Sequence, residues 1–185
     1  MTDGSFLADI KELRRRAKEH IERGALTPNY EGEVRQVIDL LQTAVATEVV
    51  CVLRYTMHAV AAVGIDSESV KAEFEEHAGD EREHLAKIAE RINQLGGTPN
   101  LDPEGLATRS TTEYGCAQTL VEMLRENLIA ERIAVEHYRE LIRFFGDKDP
   151  TTRVMLEGIL VQEEDHANDM HDLLVAREGK PFLKN

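Results

Sequence analysis

The stretches EREH at residues 81–84 and EEDH at residues 163–166 decide the fold. Each places a glutamate three residues before a histidine, so in an α-helix the two side chains lie on one face. Apolar residues flank both pairs at steps of three and four, as Phe74 and Ile88 do on either side of the first pair. Each pair therefore falls on the apolar stripe that an amphipathic helix turns toward the protein core.

A lone glutamate occupies the same kind of stripe in two further segments. Glu48 lies in register with Val45 and Val52, and Glu131 lies in register with Val135. The order along the chain is Glu, Glu-x-x-His, Glu, Glu-x-x-His, and equivalent residues of the two halves are separated by nearly the same number of positions. This order indicates two copies of a helical hairpin related by pseudo-symmetry.

Long periodic segments without two-residue alternation predict an all-α fold. We expect four helices of roughly 30 residues, or about 45 Å each, spanning Thr27-Pro28 to about Val63, Asp66-Ser67 to Gly96-Gly97, about Glu113 to Phe145, and Asp149-Pro150 to near Gly179. Short connections join the first two and the last two into antiparallel hairpins. Residues 98–112 can span up to about 50 Å when extended. The prediction is a four-helix bundle with one long crossover.

The N-terminal region adds a short amphipathic helix over residues 6–23, with the apolar stripe Phe6, Leu7, Ile10, Leu13, Ala17 and Ile21. We therefore expect an N-terminal helical extension at residues 1–26, the bundle at residues 27–179 and a short tail at residues 180–185. Basic residues of this helix, such as Arg14, are nearly balanced by acids. A solvated face is therefore favoured over a DNA-binding arm.

Composition restricts the partners of the chain. The 185 residues carry a net charge of −13, with 5% aromatic residues and no Trp. These values argue against nucleic-acid binding and are compatible with attracting cations. No run approaches the roughly 18 apolar residues of a membrane span. The N-terminus lacks the pattern of a secretory signal, and Cys51 and Cys116 form no metal-binding motif. We expect a cytoplasmic protein with two free thiols and no membrane partner.

The inward-facing acids point to a metal centre. Four carboxylates buried together repel one another and lose their hydration, and two divalent cations would compensate both effects. Oxygen and imidazole donors suit iron or manganese, whereas the absence of thiolates argues against structural zinc. A single Glu-x-x-His is most often a surface ion-pair partner. The combination is the ligand pattern of di-iron and di-manganese bundles, so we expect metal ligation by Glu48, Glu81, His84, Glu131, Glu163 and His166.

These residues resemble the ferritin-like superfamily, most closely bacterioferritin and the Dps-like, thioferritin-type ferritins. The resemblance covers residues 33 to about 174, and the matching stretches are residues 47–48, 55–59, 80–84, 95–100, 122–125, Glu131 and 163–166. It implies a ferritin-like bundle that binds two iron ions per chain, with manganese as the alternative metal. Glu81 and Glu163 would bridge the two ions. Glu48 with His84 would complete one site, and Glu131 with His166 the other.

The resemblance also implies roles for positions beside the site. Tyr55, seven residues after Glu48, matches a bacterioferritin tyrosine that can donate an electron during oxidation; the alternative is a core tyrosine with a satisfied hydroxyl. Arg82 stands where bacterioferritin has its haem-ligating Met, so no haem is predicted. Few residues follow His166, so the short fifth helix of twenty-four-subunit ferritins is not expected. A twelve-subunit homo-oligomeric cage is favoured over a twenty-four-subunit cage or a dimer.

The activity implied by the resemblance is that of a ferroxidase, which oxidises Fe(II) with O₂ or H₂O₂ in an iron-storing or iron-detoxifying cage. Two alternatives remain open. One is a discrete di-iron or di-manganese oxidase or catalase that stores no mineral. The other is a Dps-like shell that protects DNA, which the acidic net charge disfavours.

Overall fold

A computed structural model of the chain describes residues 9–64 and 67–179, and every regular element within these ranges is helical. The helices are α1 (Ile10–Arg16), α2 (Val34–Ala61), α3 (Ser67–Gln94), α4 (Leu106–Arg109), α5 (Leu120–Phe145) and α6 (Pro150–Glu178), with a 3₁₀ turn at Ile21–Arg23. Helices α2 and α3 pack as one hairpin and α5 and α6 as the other, while α2 contacts α5 and α3 contacts α6. The predicted four-helix bundle with a long crossover is confirmed.

The two larger apolar clusters of the core are separated by a charged layer. One cluster holds Leu41, Ile92 and Leu156, and the other holds Phe74 and Met170. Along all four long helices, the glutamates of the predicted site lie between the residues of these clusters. The apolar packing on both sides therefore fixes the depth at which the acids meet.

Helix α2 begins later than predicted, at Val34 instead of Thr27-Pro28. The Glu33 carboxylate caps the helix by accepting a hydrogen bond from the Gln36 amide. Thr27 and Pro28 instead open a tight turn, in which the Tyr30 amide donates to the Thr27 carbonyl. Proline favours the second position of such a turn as well as the first turn of a helix, so the sequence signal was ambiguous there.

Helix α5 also begins later than predicted, at Leu120 instead of about Glu113. Thr119 and Glu122 form a reciprocal capping box that fixes this start. Upstream, backbone groups bond to side chains from elsewhere, since Arg54 donates to the Glu113 carbonyl and Glu126 accepts from the Ala117 amide. Cys116 lies in this non-helical segment. Its thiol is free and exposed, whereas that of Cys51 is free and buried.

The start of α6 agrees with its prediction, because Asp149 caps the helix and Pro150 occupies its first turn. The Asp149 carboxylate is buried and also pairs with Arg91 at 2.9 Å and accepts from the Tyr30 hydroxyl at 2.8 Å. This network links the segment before α2 to α3 and α6. Helix α3 begins at Ser67, while Asp66, the first residue of its predicted range, lies outside the described residues.

The predicted N-terminal helix is shorter than expected. Helix α1 covers only Ile10–Arg16, and Ile10, Leu13 and Ile21 are exposed. Within the described residues, these side chains of the stripe pack into no core, and the helix ends at Arg16 rather than at residue 23. Residues 1–8 and 180–185, which include Phe6, Leu7 and the tail in which no fifth helix is expected, lie outside the described residues.

Helix α2 is long and apolar enough to cross a membrane by length and composition alone. Half of its most apolar window is buried inside the bundle. The helix also carries Glu48 and Arg54, both buried. These features favour a core helix of a helical bundle.

Candidate metal centre

The bundle brings the six predicted ligands into one buried cluster. None of them exposes more than 4% of its surface. Two groups of four ligand atoms, each within 4.8 Å of one another, divide the cluster: Glu48, Glu81, His84 and Glu163 form the first, and Glu81, Glu131, Glu163 and His166 form the second. Glu81 and Glu163 belong to both groups. This geometry matches two adjacent cation positions with two shared carboxylates.

The histidines turn their Nδ1 atoms toward the carboxylates. His84 Nδ1 lies 3.0 Å from Glu81 Oε2, 3.0 Å from Glu163 Oε1 and 3.6 Å from Glu48 Oε2. His166 Nδ1 lies 3.8 Å from Glu81 Oε1 and 3.9 Å from Glu131 Oε2. Each imidazole thus faces at least one bridging carboxylate oxygen and one lone glutamate, which is Glu48 for His84 and Glu131 for His166.

The outer nitrogen of each imidazole is held by a neighbour on the facing helix. His166 Nε2 lies 3.2 Å from Asp80 Oδ2, and His84 Nε2 lies 3.1 Å from Gln162 Oε1. Both acceptors directly precede a bridging glutamate, so they occupy equivalent positions of the two halves. A proton held at Nε2 leaves Nδ1 as the metal-binding atom. Sequence reasoning missed both residues, although their equivalent placement was a usable signal.

Two tyrosines bond to the lone glutamates across the bundle. The Tyr55 hydroxyl donates to Glu131 Oε1 at 2.5 Å, and the Tyr138 hydroxyl donates to Glu48 Oε1. Each tyrosine follows the lone glutamate of its own helix by the same spacing and reaches the glutamate of the other helix. Tyr55 thus lies directly beside the six-residue cluster. No role was predicted for Tyr138 from the sequence, although the repeated spacing pointed to a position equivalent to that of Tyr55.

Several buried atoms of the cluster lack a hydrogen-bond partner among the residues that the structure describes. They are Glu48 Oε2, Glu81 Oε1, Glu131 Oε2, both Glu163 carboxylate oxygens and His166 Nδ1. Buried polar atoms are otherwise almost always paired, and each unpaired one is unfavourable by about 1–3 kcal/mol. The donor set is oxygen and imidazole nitrogen, which suits iron or manganese. The residues present therefore fit two such ions.

Without cations, the negative charges of the buried carboxylates are unfavourable. Burial and the charge of Glu81 raise the pKa values of Glu48, Glu131 and Glu163. Burial also disfavours ionised Glu81, but the nearby imidazoles of His166 and His84 outweigh it and lower the pKa of Glu81. Two cations would supply the positive charge that the cluster otherwise obtains by holding protons.

The carboxylates of the cluster also shift the pKa values of the two imidazoles. Burial disfavours their charged forms, but the nearby carboxylates of Glu163, Glu48 and Glu81 raise the pKa of His84. In the same way, Glu81 and Glu131 outweigh burial and raise the pKa of His166 to about 9. Cations that bind here must displace these protons, so binding releases protons to solvent.

Comparison with known proteins decides the family. Residues 38–178 match the family described as Ferritin, Ferritin-like domain. The chain belongs to the ferritin-like family. The match spans all four long helices of the bundle and therefore contains all six residues of the cluster.

Individual relatives of this ferritin-like chain agree with that assignment. A solved dodecameric thioferritin, the bacterioferritin-related protein of Bacteroides fragilis, is 36% identical, with a TM-score of 0.76 over 83% of this chain and 94% of that one. A ferritin-like diiron-carboxylate protein of Bacillus anthracis is 27% identical, with a TM-score of 0.68 over 76% and 96%. The DNA protection during starvation protein of Pyrococcus furiosus is 29% identical over 158 residues, covering 80% of this chain and 85% of that protein.

Proposed function

We propose that this ferritin-like chain is a ferroxidase that binds two Fe(II) ions per chain and oxidises them to Fe(III). The observation that carries the proposal is the convergence of unpartnered carboxylate and imidazole atoms from four helices at one buried point. Glu81 and Glu163 would bridge the ions. Glu48 and His84 would complete one site, and Glu131 and His166 the other. No haem is part of the proposal.

The Fe(II) ions supply the electrons, and the chain binds the ions and holds its ligands in place. With H₂O₂ as oxidant, two Fe(II) each lose one electron, and the peroxide takes both electrons with two protons to give two molecules of water. With O₂, the same two electrons and two protons give H₂O₂. Flexible carboxylate bridges accommodate the rise in metal charge, while Asp80 and Gln162 hold the imidazoles in their ligating orientation.

Tyr55 has the geometry to supply one of the two electrons that reduce the H₂O₂ product of the O₂ reaction to two molecules of water, with a further Fe(II) ion supplying the other. Its hydroxyl donates to Glu131 and accepts from His77 Nδ1, which lies 3.1 Å away. A tyrosine that loses an electron must also lose its phenolic proton, and the Glu131 carboxylate can receive it through an existing hydrogen bond. We therefore keep Tyr55 as the proposed electron donor beside the ions.

We propose a homo-oligomeric cage as the functional assembly, with twelve subunits favoured. The Bacteroides fragilis relative is described as dodecameric. Large exposed aliphatic side chains at Val60, Val63, Val154 and Val161 offer apolar contacts for further copies. The cytoplasm remains the predicted location. A discrete oxidase or catalase of small oligomeric size is the alternative that a light-scattering measurement separates from a cage.

Anaerobic Fe(II) titration followed by oxidant tests the proposal. We expect two tightly bound Fe(II) per chain and their rapid oxidation when O₂ or H₂O₂ is added. Glu163→Gln should lose both, whereas Glu164→Gln should keep both, because Glu164 is partly exposed and pairs with Arg139. Binding well below two ions per chain in the wild type would overturn the proposal.

A DNA-protecting shell is the second candidate, favoured by the described role of the Pyrococcus furiosus relative. The basic residues of α1 are the obvious contact. Arg15 and Arg16 are already paired with Glu12, however, and Arg15 also pairs with Glu19. Salt-sensitive gel retardation of duplex DNA at low ionic strength would support this function, and its absence would contradict it.

A further inference from the structure

A second group of potential ligands lies beside the central cluster, between α3 and α6. His77 Nε2 lies 3.3 Å from Glu73 Oε1 and 3.7 Å from Asp169 Oδ2. His77 is 2% exposed, while the side chains of Glu73 and Asp169 are 31% and 52% exposed. The group thus joins a buried imidazole to two carboxylates that reach solvent.

The hydrogen bonds of Tyr55 define which nitrogen of His77 carries the proton. The Tyr55 hydroxyl hydrogen is used on Glu131, so the hydroxyl oxygen accepts from His77 Nδ1–H. In the neutral ring, Nε2 then has a lone pair. This lone pair faces the oxygens of two carboxylates, so three electron-pair donors converge with no hydrogen between them.

The pseudo-symmetry of the bundle shows that packing does not require this polar group. The offset that relates Glu81 to Glu163 and His84 to His166 also assigns counterparts to the three residues. Glu73, His77 and Asp169 correspond to Met155, Ile159 and Lys87. Ile159 is fully buried in the apolar core. The same fold position is therefore filled by an apolar side chain in one half and by an imidazole in the other.

We propose that Glu73, His77 and Asp169 bind a third divalent cation, outside the two positions of the six-residue cluster. One imidazole nitrogen and carboxylate oxygens suit a first-row transition ion such as Fe(II), Mn(II) or Co(II). Waters would complete its coordination on the side open to solvent. The two acidic side chains attract the cation, and the buried imidazole sets its position.

The location of this third site, next to the central cluster, suggests a role in moving ions to or from it. The His77 ring stacks on the His166 ring, with centroids 4.0 Å apart, and Tyr55 connects His77 to Glu131. A cation held here lies between solvent and the half of the central cluster that contains Glu131 and His166. We infer that it is a waiting position for an ion entering or leaving that half. This use rests on the proposed ferroxidase function, whereas the binding of the ion does not.

Cobalt binding provides the test, because Co²⁺ occupies such sites without being oxidised by air. The assembled protein is dialysed against Co²⁺, and cobalt per chain is measured for the wild type, for Glu73→Gln/Asp169→Asn and for the control Glu140→Gln/Asp147→Asn. The control removes the same charge from exposed positions. We expect the first variant, but not the control, to lose one Co²⁺ per chain.

Anomalous diffraction from cobalt-soaked crystals locates the ion. A peak between Glu73, His77 and Asp169 supports the proposal. Equal cobalt uptake by the variant and its control, or a peak beside Glu131 and His166 with none at the outer position, would overturn it. An empty six-residue cluster would instead sink the ferroxidase proposal, so the two failures are distinguishable.

Tyr55→Phe adds an independent check on the tautomer argument. Loss of the hydroxyl leaves His77 Nδ1 without its acceptor, and we expect the Co²⁺ dissociation constant of the outer position to rise about tenfold or more. Tyr138→Phe removes the equivalent hydroxyl from the other half and should leave that constant unchanged. An equal change in the Co²⁺ dissociation constant of the outer position in the two variants would contradict the assigned role of Tyr55.

Discussion

The Tyr138 hydroxyl donates a hydrogen bond to Glu48 across the bundle, from α5 to α2. Tyr55 makes the mirrored bond from α2 to Glu131 on α5. The lone glutamate of each half is therefore oriented by the tyrosine of the other half. The two bonds differ in one respect, because only the Tyr55 hydroxyl also contacts a histidine, His77.

This difference predicts that only one tyrosine donates an electron. After Fe(II) loading and O₂ addition, rapid-freeze electron paramagnetic resonance should show a tyrosyl radical in the wild type and in Tyr138→Phe. Tyr55→Phe should lack the signal, because its side chain has no phenolic hydroxyl to oxidise and no proton to pass to Glu131. A radical of undiminished intensity in Tyr55→Phe would show that another residue is the donor.

The partners of the imidazoles predict unequal metal affinity in the two halves. Asp80 gives His166 a charged carboxylate partner, which strengthens an imidazole ligand, whereas Gln162 gives His84 a neutral amide partner. Asp80→Asn should weaken Co²⁺ binding at the Glu131–His166 half by about tenfold, as measured by equilibrium dialysis. The exposed Asp165→Asn is the charge-matched control. Unchanged affinity in Asp80→Asn would contradict a role for Asp80 in ligation.

The buried acids that would bind metal are predicted to lower the stability of the metal-free protein. Glu163 is buried beside three other carboxylates, so Glu163→Gln should raise the melting temperature of the metal-free protein by a few degrees, or about 1 kcal/mol. Excess Co²⁺ should stabilise the wild type by about 2.7 kcal/mol at 100 times its dissociation constant, but not this variant. Glu164→Gln should follow the wild type in differential scanning calorimetry. A lower metal-free melting temperature in Glu163→Gln would count against a strained cluster.

Asp149 predicts an acid-sensitive step in stability. Burial alone would raise its pKa, but hydrogen bonds from Thr152 and Tyr30 and the charge of Arg91 lower it. Because the folded pKa lies below the unfolded value of about 3.9, the stabilisation is fully present above that pH. It is lost as the pH falls through the lower folded value.

Urea unfolding as a function of pH measures this effect. At neutral pH, Asp149→Asn should lose about 3 kcal/mol by leaving Arg91 buried without its partner, since asparagine still caps a helix well. The difference from the wild type should shrink below about pH 3.9. Asp147→Asn, at a fully exposed position, is the control. A difference that stays constant with pH would refute the role of the Asp149 charge.

The helix starts show where local sequence signals were insufficient. Thr27-Pro28 satisfied the rules for a helix start, yet the chain forms a turn there and Glu33 caps α2. The segment before Leu120 had helical periodicity, yet Arg54 and Glu126 bind its backbone from outside. In the first case a local backbone turn displaces the helix start, and in the second case side chains from other helical segments bind the backbone groups. Periodicity contains no information about such partners.

The sequence by itself determined the bundle and the six residues at its centre, because a helix repeats every 3.6 residues and a polar side chain on an apolar stripe must face the core. Only the tertiary structure decided which side chains meet across helices. The bonds of Tyr138 to Glu48, of Asp80 to His166 and of Gln162 to His84 depend on how far one helix slides and rotates against its neighbour. That register is set by the summed packing of both apolar clusters, which no local stretch of sequence records.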